Sequence, residues 1–425
     1  MPEHIRALFV ILFLATTVFF VAGPSARAMC VSPGDFERRR NLWYGITLAG
    51  FLAHNFWLFL LVVAVLLRRA TRQDTNVVAT VLFVLLAMPP SGMEIPGFAG
   101  IRYIFNLSYI DVLSIVVLLP VLVREAKQRP AAYFFEGKAG VFLCSYLILD
   151  VALTVISSGG DNITGPLRKI VAHFLGVLVP FVVVSHYIKD DRAMRVAMSC
   201  YVLGAMVMAA VGIFETSRYW LLYTSLQKPL GWNWDTIYLI RGSTLRAFAT
   251  TGQPIPYGYA MAVALTLMLG LRQFFQRKVF WWLGMALLFG GMLAAYSRGP
   301  WVGAAAGFLA FVLTGPQRWS NLGKLLLVGL VGLAVISVTP LGDKLYRSTV
   351  SVDEGNIDYR KRVFEVSMNV ILQNPFFGGK GTDYVDQLEE LRQGQGIIDI
   401  VNSYVSIALR NELVGLYFFV GFFGG

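Results

Sequence analysis

Charged residues, histidines and cysteines are all scarce in this sequence. Charged residues make up 14% of the 425 residues, whereas apolar residues make up 56% and the mean hydropathy is +0.62. Such a composition excludes an ordinary soluble domain and is typical of a polytopic membrane protein. The three cysteines, Cys30, Cys144 and Cys200, lie far apart in the chain, which favours packing roles over a disulfide or a metal site.

Acidic residues are also few, since 25 Asp and Glu face 36 Lys and Arg, for a net charge of +11. The basic residues lie in short clusters between apolar runs, as the positive-inside rule requires, so we expect no nucleic-acid partner. The shortage of histidine excludes metal hydrolysis of the usual kind, and we expect neither a metal nor a cofactor. The four histidines are His4, His54, His173 and His186.

Apolar runs alternate with basic connections along the whole chain. This alternation predicts an all-α polytopic membrane protein with about twelve transmembrane helices and both termini on the cytoplasmic side. The predicted parts are a helical bundle at 1–340 with an outer segment at 215–252, a periplasmic loop with short helices at 341–400, and a last transmembrane helix at 401–425. Residues 43–67 are predicted to form a single span.

Both ends of the chain leave an alternative open. The first apolar run, residues 7–23, is followed by small residues that also fit a signal-peptide cleavage site, but we expect the helix to be retained. The chain stops directly after an apolar run, so we expect a C-terminal tail to be missing.

Five arginines fall on the predicted outer side, where the positive-inside rule gives no reason for a cation. The planar guanidinium group pairs well with phosphate or carboxylate, so these residues indicate an anionic substrate. Snorkelling to the membrane interface is the alternative explanation. Gln253 stands near the predicted start of a helix, where partial positive charge also favours anions. The five are Arg241, Arg246, Arg298, Arg360 and Arg362.

The remaining polar features of the sequence lie in the long outer loop and at two acidic residues within predicted spans. Asp358 is predicted to cap a helix at 359–373, and glycines at 378–381 fit either an anion-binding nest or a plain turn. Asp111 and Asp150 lie within predicted spans, where a carboxylate is costly. Asp111 is near a span end, whereas Asp150 could pair with a neighbouring helix or carry protons in a transporter.

Three stretches resemble the bacterial O-antigen ligase and polymerase superfamily. They are residues 246–254 (RAFATTGQP), residues 297–301 (SRGPW) and the late loop, where Arg360 and residues 374–381 (NPFFGGKG) lead into residues 401–404 (VNSY). The likeness covers roughly the C-terminal half of the chain. It implies a GT-C-like, inverting membrane glycosyltransferase that takes a glycan from a polyprenyl-diphosphate carrier at the periplasmic face, without a metal or nucleotide.

The resemblance assigns roles to particular residues. Arg246 and Arg298 are the candidate catalytic residues, because a diphosphate leaving group gains negative charge that fixed cations stabilise. The candidate substrate-binding residues are Arg360, Arg241, Asn402, Gln253 and Tyr404.

The chain departs from the family at one position. Ligases of this family carry a histidine immediately before the asparagine, and Val401 stands there. Asp399 is the nearest carboxylate that could serve as a base, and Asn402 could orient the sugar. The missing histidine favours an exopolysaccharide or O-antigen polymerase over a ligase that transfers glycan to a lipid or protein. A lipid-linked glycan flippase or other transporter is the remaining alternative.

The resemblance also implies where the protein works and with what. The expected location is the bacterial inner membrane, with a multi-pass chain and its active face in the periplasm. The expected partners are the polyprenyl-diphosphate-linked glycan and membrane lipids, with chain-length regulators and export proteins as further candidates.

Overall fold

A computed structural model shows two compact units built almost entirely of helices. The first unit comprises residues 1–95, 106–118 and 187–351, and the second comprises 96–105, 119–186 and 352–425. The structure describes residues 1–89, 91–98, 101–128, 137–158, 164–188, 190–231, 239–241, 244–275, 277–315, 318, 320, 322–323, 329, 354–376, 388–392, 398, 400 and 402–424.

The elements are numbered in chain order. A π-helical turn, Ser114–Leu118, follows α5 in the first unit. The four strands form two two-stranded sheets, one of β1 and β2 and one of β3 and β4. The elements are α1 (Glu3–Met29), α2 (Pro33–Leu52), α3 (Phe56–Arg72), α4 (Val77–Leu85), β1 (Gly92–Pro96), β2 (Tyr103–Ser108), α5 (Tyr109–Leu113), α10 (Asp191–Arg218), β3 (Ile240–Arg241), β4 (Thr244–Leu245), α11 (Pro254–Leu271), α12 (Lys278–Ala294) and α13 (Arg298–Thr314).

The second unit contains the remaining helices. A π-helical turn, Phe174–Leu178, joins two of them into one continuous run. The helices are α6 (Leu119–Ala126), α7 (Lys138–Ser157), α8 (Thr164–His173), α9 (Val179–Tyr187), α14 (Glu354–Gln373) and α15 (Ser403–Gly424).

The run at 43–67, predicted as a single span, is two helices in the structure. α2 ends at Leu52, and Asn55 caps α3 by accepting hydrogen bonds from two amides of its first turn. Because the run is apolar on average, its mean hydropathy does not reveal this turn. The available signal was Asn55, since asparagine is a preferred helix cap. The single-span prediction is therefore wrong.

The extra turn places the N-terminus at the opposite end of the first unit from the one predicted. Glu3 accepts a hydrogen bond from the indole of Trp220 at 3.1 Å, so α1 begins beside the end of α10. At the other end, Arg39 of α2 forms a buried salt bridge with Asp74, which follows α3, at 2.6 Å. The prediction that put the N-terminus at the same end as the basic residues after α3 is wrong, because residues 43–67 belong to two helices joined by a short turn and not to one.

The predicted class of protein is confirmed, whereas the count of about twelve spans stays a prediction. Within the described part of the chain, six helices are long and apolar enough to cross a membrane. They are Glu3–Met29, Lys138–Ser157, Thr164–Tyr187, Asp191–Arg218, Pro254–Phe274 and Ser403–Gly424.

α11 and α13 pack side by side in parallel, with glycines at the contact. A Cβ atom at Gly299 would lie 2.8 Å from the hydroxyl of Tyr259, and one at Gly307 would lie 2.3 Å from Oγ1 of Thr266. Small residues let helix backbones approach closely in membranes. The N-terminal ends of both helices therefore meet at one end of the first unit.

α15 is a bent helix. Glu412, near its middle, has φ 55° and ψ −171°. The rings of Tyr404 and Phe419 are 6.1 Å apart, whereas a straight helix would separate residues fifteen apart by about 22 Å. The helix therefore bends sharply between residues 403–411 and residues 413–424, so its length alone overstates its reach across a bilayer.

Two contacts accompany the bend. The amide of Leu413 donates a hydrogen bond to the carbonyl of Pro375, which follows α14, at 3.1 Å. A Cβ atom at Gly415 would lie 2.2 Å from that of Asn411, whereas residues four apart in a regular helix have Cβ atoms about 5–6 Å apart. Glycine at 415 is therefore part of what permits the bend.

α14 begins earlier than the sequence predicted. Its first residue is Glu354, so Asp358, the predicted cap, lies inside the helix, and that prediction is wrong. One face of α14 packs in a common apolar cluster with the first half of α15 and a short 3₁₀ turn at Glu389–Leu391. The buried members are Val363, Ile371, Leu388, Leu391, Val405, Ala408 and Leu409.

The packing of α11 on α13 predicts a contrast between two Gly→Ala substitutions. Gly307→Ala should lower the free energy of unfolding by about 1–3 kcal/mol, because the methyl group overlaps Thr266. Gly270→Ala should raise it by up to about 1 kcal/mol, because its Cβ would meet only Met198, at 3.8 Å, and alanine favours the helix. Thermal unfolding of the detergent-solubilised protein measures both, and equal midpoints would contradict the packing.

Candidate functional site

Two arginines of the first unit are bound to the turn that precedes α13. β3 pairs antiparallel with β4, Arg241 lies opposite Thr244, and Arg246 directly follows β4. Nε of Arg246 donates to the carbonyl of Ala295 at 3.0 Å, and Nη1 of Arg241 donates to the carbonyl of Tyr296 at 3.3 Å. Both guanidinium groups are therefore held beside consecutive peptide groups at the end of α12.

Arg246 is the more deeply buried of the two. Only 7% of its surface is exposed. Burial, and the neighbouring charge of Arg241, lower the pKa of Arg246 to about 10, so it is still cationic at neutral pH. A bound anion would offset both the desolvation and the repulsion between the two cations.

A third arginine begins α13 at the same place. Arg298 is the first residue of that helix, two residues after Tyr296, and its Nε and Nη2 atoms are shielded from solvent. Tyr296 has a φ of 44°, which turns the chain sharply between α12 and α13. The turn therefore presents Arg298 at the end where α13 meets α11.

Gln253 lies at the corresponding position on α11. It is the N-cap residue of that helix, its side chain makes no capping hydrogen bond, and it is exposed. The first amides of a helix point outward and carry partial positive charge. Two helix N-termini and three arginines thus lie at the same end of the first unit. This arrangement suits a phosphate or diphosphate group.

A buried carboxylate shapes the segment that carries Arg246. Glu215, near the end of α10, is fully buried. Its Oε2 accepts hydrogen bonds from the amides of Phe248 and Ala249 at 3.2 and 3.0 Å, and its Oε1 accepts one from Leu222 at 3.0 Å. Ala249 has a φ of 44°, a conformation that an alanine rarely adopts. Glu215 thereby holds the chain after Arg246 in a turn that the local sequence does not favour.

Sequence reasoning missed this role, because Glu215 marked only the boundary of the outer segment. A carboxylate at the end of a long apolar run was the available signal, since burying a charge requires several hydrogen-bond donors. Three donors do lie around it, and all are backbone amides whose positions depend on the fold.

The second unit holds the other predicted site residues that the structure describes. Arg360 is exposed on the first half of α14, and Tyr404 is exposed at the start of α15. Asn402 caps α15, since its Oδ1 accepts a hydrogen bond from the amide of Tyr404 at 3.0 Å. Its observed contact is therefore structural, and its role in orienting a sugar stays a prediction. Asp399 and the glycines at 378–381 lie outside the described residues.

Asp150 lies in a buried polar cluster of the second unit. Its Oδ2 is 2.7 Å from Nε2 of His173 and 2.8 Å from Nζ of Lys169, both on α8. Its Oδ1 accepts a hydrogen bond from Nδ2 of Asn411, beside the bend of α15, at 2.7 Å. Pairing with a neighbouring helix is confirmed, and the cluster joins three helices around one carboxylate.

Asp111 has a local structural role. Its carboxylate accepts hydrogen bonds from the amide and hydroxyl of Ser108, at 2.9 and 2.7 Å, in a capping box at the start of α5. This agrees with its predicted position near the end of an apolar run.

Comparison with known proteins identifies one family. Residues 283–420, about a third of the chain, match the family model Wzy_C, described as O-antigen ligase. The match confirms the resemblance to the O-antigen ligase and polymerase superfamily and supports a membrane enzyme of that type. It contains Arg298, Arg360 and residues 399–404, whereas Arg241, Arg246 and Gln253 precede it.

The match does not distinguish a polymerase from a ligase and gives no support to a flippase. Comparisons with curated proteins and with solved structures gave no match.

The hydrogen bonds to Glu215 predict a stability loss on amide substitution. Glu215→Gln leaves one acceptor oxygen for three buried amides, so the free energy of unfolding should fall by about 1–3 kcal/mol for each amide left unpaired. Glu365→Gln, on an exposed glutamate, should change it by less than about 0.5 kcal/mol. Thermal unfolding in detergent measures both, and equal effects would show that Glu215 does not hold the turn.

The Asp150 cluster predicts strong coupling between two residues. Asp150→Ala should destabilise the protein by about 1–3 kcal/mol, because Lys169, whose side chain is only partly buried, would lose its counterion. Adding Lys169→Met should recover most of that loss. Unfolding of both single variants and the double variant gives the coupling energy, and simple additivity would mean that the pair is energetically unimportant.

Proposed function

From the O-antigen ligase match at 283–420 and the convergence of three arginines on one end of the first unit, we propose an inverting membrane glycosyltransferase. It polymerises polyprenyl-diphosphate-linked oligosaccharide repeat units at the periplasmic face of the bacterial inner membrane. The product is an exopolysaccharide or an O-antigen chain.

The observation that carries the proposal is the arrangement of Arg241, Arg246 and Arg298. Two of these side chains are bound to adjacent carbonyls, which holds them in place before any substrate arrives, and the third arginine begins the next helix. Fixed cations stabilise a transition state without the cost of reorganising. A diphosphate that leaves from a sugar is a group that such a set of charges suits.

The proposed step is a single displacement at the anomeric carbon. An acceptor hydroxyl forms the new glycosidic bond, the bond from the anomeric carbon to the diphosphate oxygen breaks, and that oxygen takes the electron pair. Arg246 and Arg298 stabilise the resulting charge, and the acceptor proton passes to a base. Asp399 is the proposed base, and attack from the opposite side inverts the anomeric centre.

The remaining predicted residues are assigned to substrate binding. Arg360 would contact an anionic group of the lipid-linked substrate, Tyr404 would stack on a sugar ring, and Gln253 would donate a hydrogen bond. The exposure of all three side chains supports these assignments. Asn402 would orient the sugar only if its side chain bound the sugar while still capping α15, or gave up the hydrogen bond that caps α15.

A ligase that transfers the glycan to a lipid or a protein is the second candidate. The description of the matching family favours it. Val401 disfavours it, because the family's ligases carry a histidine there. Chain-length regulators and export proteins are proposed as partners for the polymerase but not for the ligase.

The first test removes single arginines. Arg246→Ala and Arg298→Ala should each slow glycan transfer by about 10²–10³-fold, the usual loss of one preorganised donor. Arg272→Ala is the matched control: this arginine lies just beyond the other end of α11, about 27 Å from the first residue of that helix. Purified variants are compared by the length of glycan formed from a polyprenyl-diphosphate-linked repeat unit. Normal polymer from Arg298→Ala would remove Arg298 from the mechanism.

The same assay with EDTA distinguishes the candidate activities. A ladder of multimers from the lipid-linked repeat unit alone is the expected result and would indicate a metal-independent polymerase. Transfer only after a lipid or protein acceptor is added would establish the ligase. Loss of the ladder with EDTA, and its return with a divalent cation, would contradict metal independence.

A further inference from the structure

The apolar surface of α14 is wider than the face that packs against α15. Its buried face contacts the first half of α15, yet a second row of large apolar side chains on the adjoining face is exposed. We call this row the apolar stripe: Phe364 (48% exposed), Met368 (36%), Leu372 (61%) and, just after the helix, Phe376 (63%). In the C-terminal half of α14 the exposed polar residues, Glu365, Asn369 and Gln373, lie on the remaining strip, whereas the basic residues lie near the start of the helix. A helical segment that is apolar over most of its circumference is usually buried or in contact with lipid.

The depth of one end of α14 follows from two hydrogen bonds. The carbonyl of Pro375 accepts from Leu413, and Asn411, two residues earlier, donates to Asp150 of α7. α7 has 20 residues, a length of about 30 Å that matches the hydrocarbon core of a bilayer. Asp150 lies seven residues before the end of α7 at Ser157, or about 10 Å below that end. Pro375 therefore lies at the level of an apolar part of a spanning helix.

We propose that the C-terminal half of α14 is submerged in the outer half of the bilayer, with the apolar stripe in contact with lipid acyl chains. Contact with hydrocarbon accounts for the exposed Leu372 and Phe376, whose solvation by water would be unfavourable. The bond from Leu413 to Pro375 also satisfies an amide freed by the bend of α15, as backbone at membrane depth requires.

The charges on α14 agree with an inclined helix. Arg360, Lys361 and Arg362 lie near its start, and Lys361 has 74% of its side chain exposed. Lys361 is eleven residues from Leu372, about 16 Å along the axis. This distance lets the basic end reach the headgroup region, where cations are attracted to anionic lipids, while Leu372 reaches the acyl chains. The loop that the sequence placed wholly outside the membrane thus enters it in part.

Depth-dependent fluorescence quenching of the full chain in phosphatidylcholine vesicles tests the proposal. Cys30, Cys144 and Cys200 are replaced by serine, and a single cysteine carries a bimane label. Leu372→Cys and Phe376→Cys report on the stripe, Gln373→Cys is the matched control at the same level on the polar strip, and Lys361→Cys reports on the basic end. Lipids brominated at mid-chain quench from the hydrocarbon, and iodide quenches from water.

The expected result is strong quenching of the labels at 372 and 376 by brominated lipid, at least about threefold above that at 361. Iodide should show the reverse order, and the label at 373 should respond to brominated lipid less than its neighbour at 372. Iodide quenching at 372 equal to that at 361 would place α14 in water and overturn the proposal.

Protection of 372 from both quenchers would also overturn it, since protein would then cover the stripe. If Leu372→Cys does not accumulate in the membrane, the label at 376 decides between these results. The outcome does not depend on glycan transfer, because no substrate is present.

Discussion

The candidate anion site depends on one buried carboxylate. Glu215 accepts three backbone hydrogen bonds at the end of α10, and two of them fix the segment after Arg246 in a turn that its own sequence disfavours. A buried charge costs several kcal/mol unless donors surround it, so the carboxylate and the turn require each other. The position of Arg246 therefore depends on an acidic residue that need not touch a substrate.

Besides burial, the charge of Arg241 lies close enough to lower the pKa of Arg246, and a bound anion would offset that repulsion. Both side chains donate to peptide carbonyls, which offsets some of their desolvation. The parallel packing of α11 and α13 adds two positive helix ends at the same place. An end of the first unit that combines cations and positive helix ends favours a negatively charged ligand, which is the physical reason to propose one there.

The membrane class followed from the sequence, because apolar runs and their basic connections are local patterns, and the same patterns singled out five arginines, of which three lie together in the first unit. Arg241, Arg246, Gln253 and Arg298 do meet at one end of the first unit. The break within residues 43–67 was not predicted, because the mean hydropathy of an apolar run does not reveal a short turn such as the one at Asn55. The hydrogen bonds to Glu215 were not predicted, and for Asp150 the sequence indicated pairing with a neighbouring helix but not which residues pair. Phe248 is 33 residues from Glu215 and Asn411 is 261 residues from Asp150, and no periodicity reports such contacts.

The bend of α15 connects the polar groups of the second unit. Asn411 binds Asp150 on one side of Glu412, and Leu413 binds the carbonyl of Pro375 on the other. A straight helix would satisfy the amide of Leu413 internally and leave the Pro375 carbonyl, at membrane depth, in need of another donor. The break in α15 therefore depends on two other features, the glycine at 415 and the carbonyl of the proline after α14. The same arrangement fixes the level at which α14 ends, and it explains why a loop rich in polar residues also carries a row of exposed aromatic and aliphatic side chains.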